Sequence, residues 1–301
     1  MLRTVPGQKR HRRELFLAYA FLAPALLFLG ALLGYPIFDT LYLSFTKFNY
    51  VYDSHPTFVG FANYASLAQS GGFREALINT LLFTAMFVPL FVIGSLLAAI
   101  VVNALPRFSN LFRTPIFLPV IVGESVTGVI FSWIFSNDFG LLNQFLHAIG
   151  LGVLARGWLS DPHFALGMIV LVELWMLLGI GMLIFLAGLG SIPREIYDAA
   201  AVDGAGPLQT FWRITVPNLR FHFVIVIIWA LVQAIKVFGV PYVMTHGGPA
   251  GATVTLYLYV WNAAFKFFAM GRAAAVGYII AALIFAFSAV TYLAGRFGEA
   301  T

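Results

Sequence analysis

The chain has 301 residues, 61% of them hydrophobic and only 10% charged, with a mean hydropathy of +0.92 and a formal net charge of +5 at pH 7. Apolar content at that level exceeds what a soluble domain carries and marks an integral membrane protein. The absence of cysteine excludes disulfides, thiolate metal sites and cysteine nucleophiles, and the absence of any Gly-Lys dipeptide excludes a Walker A loop for ATP phosphates.

Residues 1–14 form a basic tail with Arg3, Lys9, Arg10, Arg12 and Arg13. A spanning helix needs about 20 consecutive apolar residues, and Leu15–Phe38 is the first stretch to meet that test. Its Ala18-Tyr19-Ala20 has the small-x-small form of a signal cleavage site. The tripeptide lies at the start of the apolar run, whereas cleavage follows the run, so the segment reads as an uncleaved span. The second to sixth spans are Leu77–Val102, Pro115–Phe135, Phe164–Leu189, Phe221–Tyr242 and Ala273–Ala294. These runs are too long and too continuously apolar for barrel strands, so the expected fold is all-α with six transmembrane helices in a single domain over residues 15–301. Three connecting loops of roughly thirty residues, 44–74, 136–163 and 244–272, read equally as partner surfaces or as packing caps.

Orientation follows from lysine and arginine, which are retained on the cytoplasmic side. With the N-terminus inside, the inner segments hold Arg3, Lys9, Arg10, Arg12, Arg13, Arg107, Arg113, Arg194, Arg213, Arg220 and Arg296, eleven in all. The outer segments hold five: Lys47, Arg74, Arg156, Lys266 and Arg272. Both termini are therefore expected in the cytoplasm of a multi-pass membrane protein. The basic residues flank spans and form no patch, which argues against nucleic-acid binding. His11, His55, His147, His163, His222 and His246 show no metal-ligand spacing, and HExxH, GxSxG and GxGxxG are absent, so no catalytic or metal site is expected.

Residues 190–220 leave the apolar pattern yet still look helical. Pro193 suits a first helical turn and Ser191 a cap. Arg194–Val202 is an Ala-rich short helix, and Gly204 supplies the left-handed position that ends it. A second short helix, Leu208–Val216, offers Leu208, Phe211, Trp212 and Ile214 as an apolar side, and Pro217 is expected to stop it. Asp198, Asp203 and Arg213 are the polar contacts of the resulting elbow. On physics alone it is either a docking surface in water or an amphipathic segment on the membrane interface.

This segment resembles the EAA loop of binding-protein-dependent ABC importer permeases, in which an EAA triplet, three residues, Gly and nine residues precede I-x-L-P. Here the match is Asp198-Ala199-Ala200, Gly204 and Ile214-Thr215-Val216-Pro217, with Asp in place of Glu and Val in place of Leu. Phe58-Val59-Gly60-Phe61-Ala62-Asn63-Tyr64, Phe139-Gly140-Leu141-Leu142-Asn143, Trp158-Leu159-Ser160-Asp161-Pro162 and Thr245-His246-Gly247-Gly248-Pro249 resemble signatures of the carbohydrate-uptake branch, the last resembling the maltose-type first permease. The resemblance implies a type I ABC importer permease fold and half a pore completed by a second homologous permease, a heterodimer more than a homodimer. It implies two cytoplasmic ATPase subunits that hold ATP and Mg, an extracytoplasmic solute-binding protein, and no cofactor on this chain. Coupling roles fall on Asp198, Ala199, Ala200, Asp203, Gly204, Phe211, Ile214 and Pro217. The competing class is an ion-gradient-driven secondary carrier, which often has mid-membrane charges and internal repeats; the charges are present and a repeat is not evident.

Ionisable groups inside spans usually face a cavity or a partner, which singles out Glu124, Glu173 and Lys236. Related sugar permeases place the solute between the spans flanking the EAA loop, which implies Glu173, Met176 and Leu177 on one and Ala230, Gln233 and Val237 on the other. Lys236 also reads as snorkelling from the end of its span, Glu173 as half of a structural Glu–Lys pair, and Trp175 as a packing or interface aromatic.

Overall fold

A computed structural model of the chain describes residues 6–105 and 109–297, so Arg3 and Arg107 of the orientation argument lie outside the described residues. Helix α1 (Pro6–Leu29) runs through a π-turn (Gly30–Gly34) into α2 (Tyr35–Ser44), and together they supply the first span, Leu17–Ser44. A two-residue hairpin, β1 (Thr46–Lys47) with β2 (Thr57–Phe58), pairs Thr46 with Phe58 and Lys47 with Thr57. It leads to α3 (Ala62–Ala68) and to α4 (Gly71–Ala104), the second span. The Ser70 hydroxyl accepts from the Phe73 N–H at the start of α4 and so caps it.

The third expected span is not one helix. Helix α5 (Ser109–Phe117) and a 3₁₀ turn (Leu118–Ile121) meet α6 (Glu124–Ile134) at a bend of 101°. Pro119 lies in the 3₁₀ turn and Gly123 is the extended N-cap of α6, with φ −64° and ψ 144°. After α7 (Leu141–Ala148), α8 (Pro162–Ser191) is the fourth span. Asp161 caps α8 by accepting from the His163 N–H at 2.9 Å. That backbone bond, followed by the His163 ring, holds the Asp161 carboxyl below its ordinary range.

The cytoplasmic elbow expected between residues 190 and 220 is built from α9 (Arg194–Val202), α10 (Pro207–Thr210), a π-turn (Phe211–Thr215) and α11 (Val216–Asn218). The fifth span is also broken. Helix α12 (Arg220–Ile235) has 16 residues, about 24 Å of rise and short of the ~30 Å hydrocarbon layer. The chain breaks at Lys236–Phe238 and resumes as α13 (Gly239–Thr245). Helix α14 (Leu256–Trp261) and a π-turn (Asn262–Lys266) precede α15 (Met270–Phe297), the sixth span.

Helices α4 and α8 form the most extensive pair, and α12 packs on α4. Phe83, Phe87 and Phe91, four residues apart on α4, stack at ring separations of 5.6 and 5.3 Å, and Trp229 of α12 continues the stack at 5.2 Å from Phe91. Close approach of α8 depends on Gly181, where a Cβ would come within 2.7 Å of the Ser95 Cβ and 2.8 Å of the Phe91 ring. Gly167 on the same helix has nothing within 4 Å of that position. Gly181→Ala is therefore expected to lower the thermal midpoint of the detergent-solubilised protein, with a cost of about 1–3 kcal/mol for overpacking. Gly167→Ala, measured alongside by the same thermal scan, is expected to leave the midpoint unchanged or raised.

Candidate coupling elbow and solute path

The elbow owes its shape to a C-terminal cap. The Asp203, Gly204 and Ala205 N–H groups donate to the carbonyls of Ala199, Ala201 and Ala200 at 3.0, 3.1 and 2.9 Å. The last two make a Schellman motif with Gly204 at the left-handed position, φ +75°. No atom lies within 4 Å of where a Gly204 Cβ would be. Glycine is therefore favoured here by backbone conformation and not by crowding.

The two helices are braced to each other and to the membrane core. The Tyr197 and Thr215 hydroxyls lie 3.2 Å apart, linking α9 to the π-turn. Tyr197 and Phe211 pack against the main hydrophobic cluster. This divides the expected coupling residues. Asp198, Ala199, Asp203, Gly204 and Pro217 are exposed, whereas Phe211 and Ile214 are partly buried and Ala200 is buried at 8% exposure. Ala200 thus faces its own chain and offers no surface for close approach by another protein. The most exposed large apolar side chains are Val202, Leu208 and Trp212, at 88%, 71% and 61% exposure, with Ile196 less so. Val202 was missed because it closes a helix read for its small residues, and its solvent-facing position is set by the turn that follows.

Two expectations at the ends of the elbow are corrected. Ser191 does not cap α9; it ends α8 with its hydroxyl on the Gly188 carbonyl, and the N-cap is Pro193 in extended conformation. Pro217 does not stop the second helix. The π-turn over Phe211–Thr215 widens the helix before a residue that has no N–H to give, so helical structure runs on to Asn218 and bends by 69° at Leu219.

The solute-path candidates gather around the breaks in the third and fifth spans. Helix breaks free backbone groups that hydrocarbon cannot satisfy. Here the Gly239 N–H donates to the Glu124 carboxylate at 3.1 Å and the Thr255 hydroxyl donates to the Val237 carbonyl at 2.9 Å. Glu124, the first residue of α6, therefore caps α13 as well and locks the two half-helices together. Thr255 also accepts from the Leu258 N–H, while the Thr80 hydroxyl of α4 accepts from the Leu256 N–H at 2.8 Å. The Asn79 amide donates to the Gly251 and Val254 carbonyls, fixing the segment that carries Thr255.

Glu173 is buried at 5% exposure on α8, and no hydrogen bond or ion pair is made to it by a described residue. Lys236 is exposed at the C-cap of α12 and forms no ion pair with Glu173 or Glu124, so the Glu–Lys pair is not present. Met176, Ala230 and Val237 lie inside the packed core, with exposures of 3%, 0% and 5%. Leu177 and Gln233 remain partly accessible. Trp175 packs edge-on against Phe131 at 5.2 Å, a packing aromatic as expected. The Thr127 hydroxyl, one turn from Glu124, is buried without a partner among the described residues.

Removing the Glu124 carboxylate is expected to free the Gly239 N–H. Hydrogen exchange over peptides covering residues 236–245 should rise about tenfold or more in Glu124→Ala, since a hydrogen bond to a charged group contributes about 1.5–3 kcal/mol. Glu124→Gln keeps an acceptor oxygen, and its exchange is expected to stay within a few-fold of the parent.

A family model described as the binding-protein-dependent transport system inner membrane component matches residues 59–297. Among curated proteins, a probable ABC transporter permease, YurN of Bacillus subtilis (strain 168), is 36% identical over 272 residues, covering 90% of this chain and 92% of its own. The lactose transport system permease LacF of Rhizobium radiobacter is 34% identical, with coverages of 92% and 93%. The sulfoquinovosyl glycerol transport system permease SmoG of Agrobacterium fabrum (strain C58 / ATCC 33970) is 33% identical, with coverages of 91% and 88%. A solved bacterial ABC transporter involved in the import of the acidic polysaccharide alginate has the same fold, with a TM-score of 0.83 at 21% identity over 96% of this chain and 97% of that one.

Proposed function

This chain belongs to the family of inner membrane components of binding-protein-dependent transport systems, and from that premise we propose how its elbow and its broken spans divide the work of import. It is a multi-pass permease subunit of an ABC importer in the inner membrane, a transport component rather than an enzyme. Membership sets aside the ion-gradient carrier.

The solute is a carbohydrate or a related polyol or sugar derivative, a reading supported by relatives named for lactose, sulfoquinovosyl glycerol and arabinooligosaccharides. One EAA-type loop means half a pore, so a second homologous permease completes it. ATP and Mg reside on two cytoplasmic ATPase subunits, and a solute-binding protein delivers from outside. Both termini, the tail over 1–14 and the elbow over 190–220 lie on the cytoplasmic side of one membrane domain over 15–301.

The observation that carries the coupling role is the elbow itself. Asp198 and Ala199 lie on a helix that Asp203 caps and a left-handed glycine closes, and Val202, Leu208 and Trp212 face outward as exposed apolar side chains. An ATPase groove that accepts these residues drives the rigid-body rocking of the permease pair. Phe211 and Ile214 act by bracing the elbow, and Pro217 by shaping its end.

Glu173 is the centre of the proposed solute path. An unpartnered carboxyl group on a buried side chain is costly in a membrane, and sugar hydroxyls, which both donate and accept, can satisfy it. Gln233 and Leu177 on the facing helices add a polar and an apolar contact, while Met176, Ala230 and Val237 form the packed wall behind them. Glu124 and Lys236 flank the breaks.

Two substitutions test these assignments in proteoliposomes holding the permease pair, the ATPase and the binding protein. Gly204→Val places a β-branched residue at φ +75°, at a cost of about 1–2 kcal/mol or more. It is expected to cut ATP-dependent uptake at least about tenfold while the assembled complex still purifies; unimpaired uptake and ATPase stimulation would remove the elbow from coupling. Glu173→Gln is expected to raise the solute concentration for half-maximal uptake or change solute preference with ATPase assembly intact. Unaltered kinetics across a sugar panel would take Glu173 off the path.

A further inference from the structure

At the outer start of α15 the fold holds two cations together. A Cβ at Gly271 would collide with the Thr46 carbonyl oxygen, so glycine is what allows β1 to lie against α15. The Gly271 N–H donates to the Phe48 carbonyl at 3.4 Å, the Tyr50 N–H to Phe268 at 3.0 Å, and the Asn49 amide to Phe267 at 3.2 Å. This junction brings Lys47 and Arg272 to the wall of one cleft of about 400 Å³, with Asn49, Asn63 and Ser66. Arg272 also lines a smaller hollow of about 160 Å³ beside Tyr259 and Asn262.

Neither cation has an ion pair or side-chain hydrogen bond with a described residue. The polar neighbours are committed elsewhere. The Asn63 amide donates to the Ser44 and Thr46 carbonyls. The Asn49 side-chain oxygen accepts from the Val51 and Tyr52 N–H groups. Asp53, on the same loop, is turned onto the Asn49 N–H at 2.7 Å. No aspartate or glutamate lines either hollow. The first turn of α15 contains no acid, so its partial positive charge adds to the two side chains. A hydrogen-bonded junction that concentrates like charges makes physical sense when an anion arrives from outside.

The cleft's position indicates where that anion comes from. It is bounded by α3 on one side and by the segment following α14 on the other, elements that lie beyond the ends of the spans. Tyr50 and Phe61, next in sequence to the lining residues Asn49 and Ala62, and Phe267 of the adjoining hollow are exposed. Arginine among exposed aromatics is the composition of a protein–protein contact. We infer that Lys47 and Arg272 form a socket for carboxylate side chains of the extracytoplasmic solute-binding protein, an inference that rests on the import reading above.

The test titrates the binding protein against ATPase activity of the reconstituted complex at low and high salt. Arg272→Glu and Lys47→Glu are each expected to raise the half-saturating concentration of binding protein about tenfold or more. Activity at saturation and basal activity should stay near those of the parent, and the salt dependence should flatten, the pattern of a lost rim charge. Arg272→Lys should stay within about threefold, and Arg272→Gln and Lys47→Gln serve if either reversal disturbs folding. Unchanged half-saturation in the charge-neutralised pair overturns the socket. So does an effect that follows the phosphatidylglycerol content of the liposomes, which assigns the cleft to lipid headgroups, or one reproduced by free inorganic phosphate, which assigns it to a small anion. A parent complex that no binding protein stimulates brings down the import reading along with the socket, whereas a normally stimulated parent with indifferent variants removes the socket alone.

Discussion

In hydrocarbon an unsatisfied backbone N–H or C=O costs several kcal/mol, and that constraint governs what this chain can do at its two broken spans. The break at Lys236–Phe238 is mended by Glu124, which takes the Gly239 N–H, and by Thr255, which serves the Val237 carbonyl. Each repair joins elements far apart in sequence. Helices α6 and α13 become one unit through Glu124, and the segment leading into α14 is tied to the fifth span through Thr255 and to α4 through Thr80 and Asn79. The polar side chains of the membrane region therefore fall into two groups. Glu124, Thr80 and Thr255 mend backbone, and Glu173 is left with nothing to mend.

The elbow shows a similar division between fixing and presenting. Phe211 and Tyr197 turn inward to the core, and Tyr197 meets Thr215 across the bend. Asp198, Val202, Leu208 and Trp212 turn outward. Through the inward set the elbow is seated on the same hydrophobic cluster that α8 and α12 share. The glycine at 204 matters for its backbone sign alone, because the space around it is empty.

Much of this was legible in the residues. Length and continuous apolarity located the spans, and the spacing of Asp198-Ala199-Ala200, Gly204 and Pro217 located the elbow, down to a helix over Arg194–Val202 and a left-handed Gly204. The breaks were not legible. Residues 115–135 and 221–242 are apolar enough to read as continuous spans despite Glu124 and Lys236, and Pro119 and Gly123 are tolerated within many spanning helices; what decides for a bend is whether a distant group can accept the freed backbone. The same limit hid the inward turn of Ala200, which depends on tertiary packing rather than helix period. Pro217 misled because proline is read as a terminator, yet a π-turn ahead of it removes the need for its missing N–H.

The cross-links at the breaks also impose an order on assembly. The hydroxyl of Thr80 and the carboxylate of Glu124 are synthesised long before the Leu256 and Gly239 N–H groups that need them. Gly239, where the fifth span resumes after its break, thus follows in the chain the acceptor that it uses in the third. Only the Val237 carbonyl must wait, for eighteen residues, until Thr255 emerges. The first four spans thus act as a template for the last two, and a chain truncated between Val237 and Thr255 would leave the membrane with a half-helix whose open carbonyl has no hydroxyl to receive.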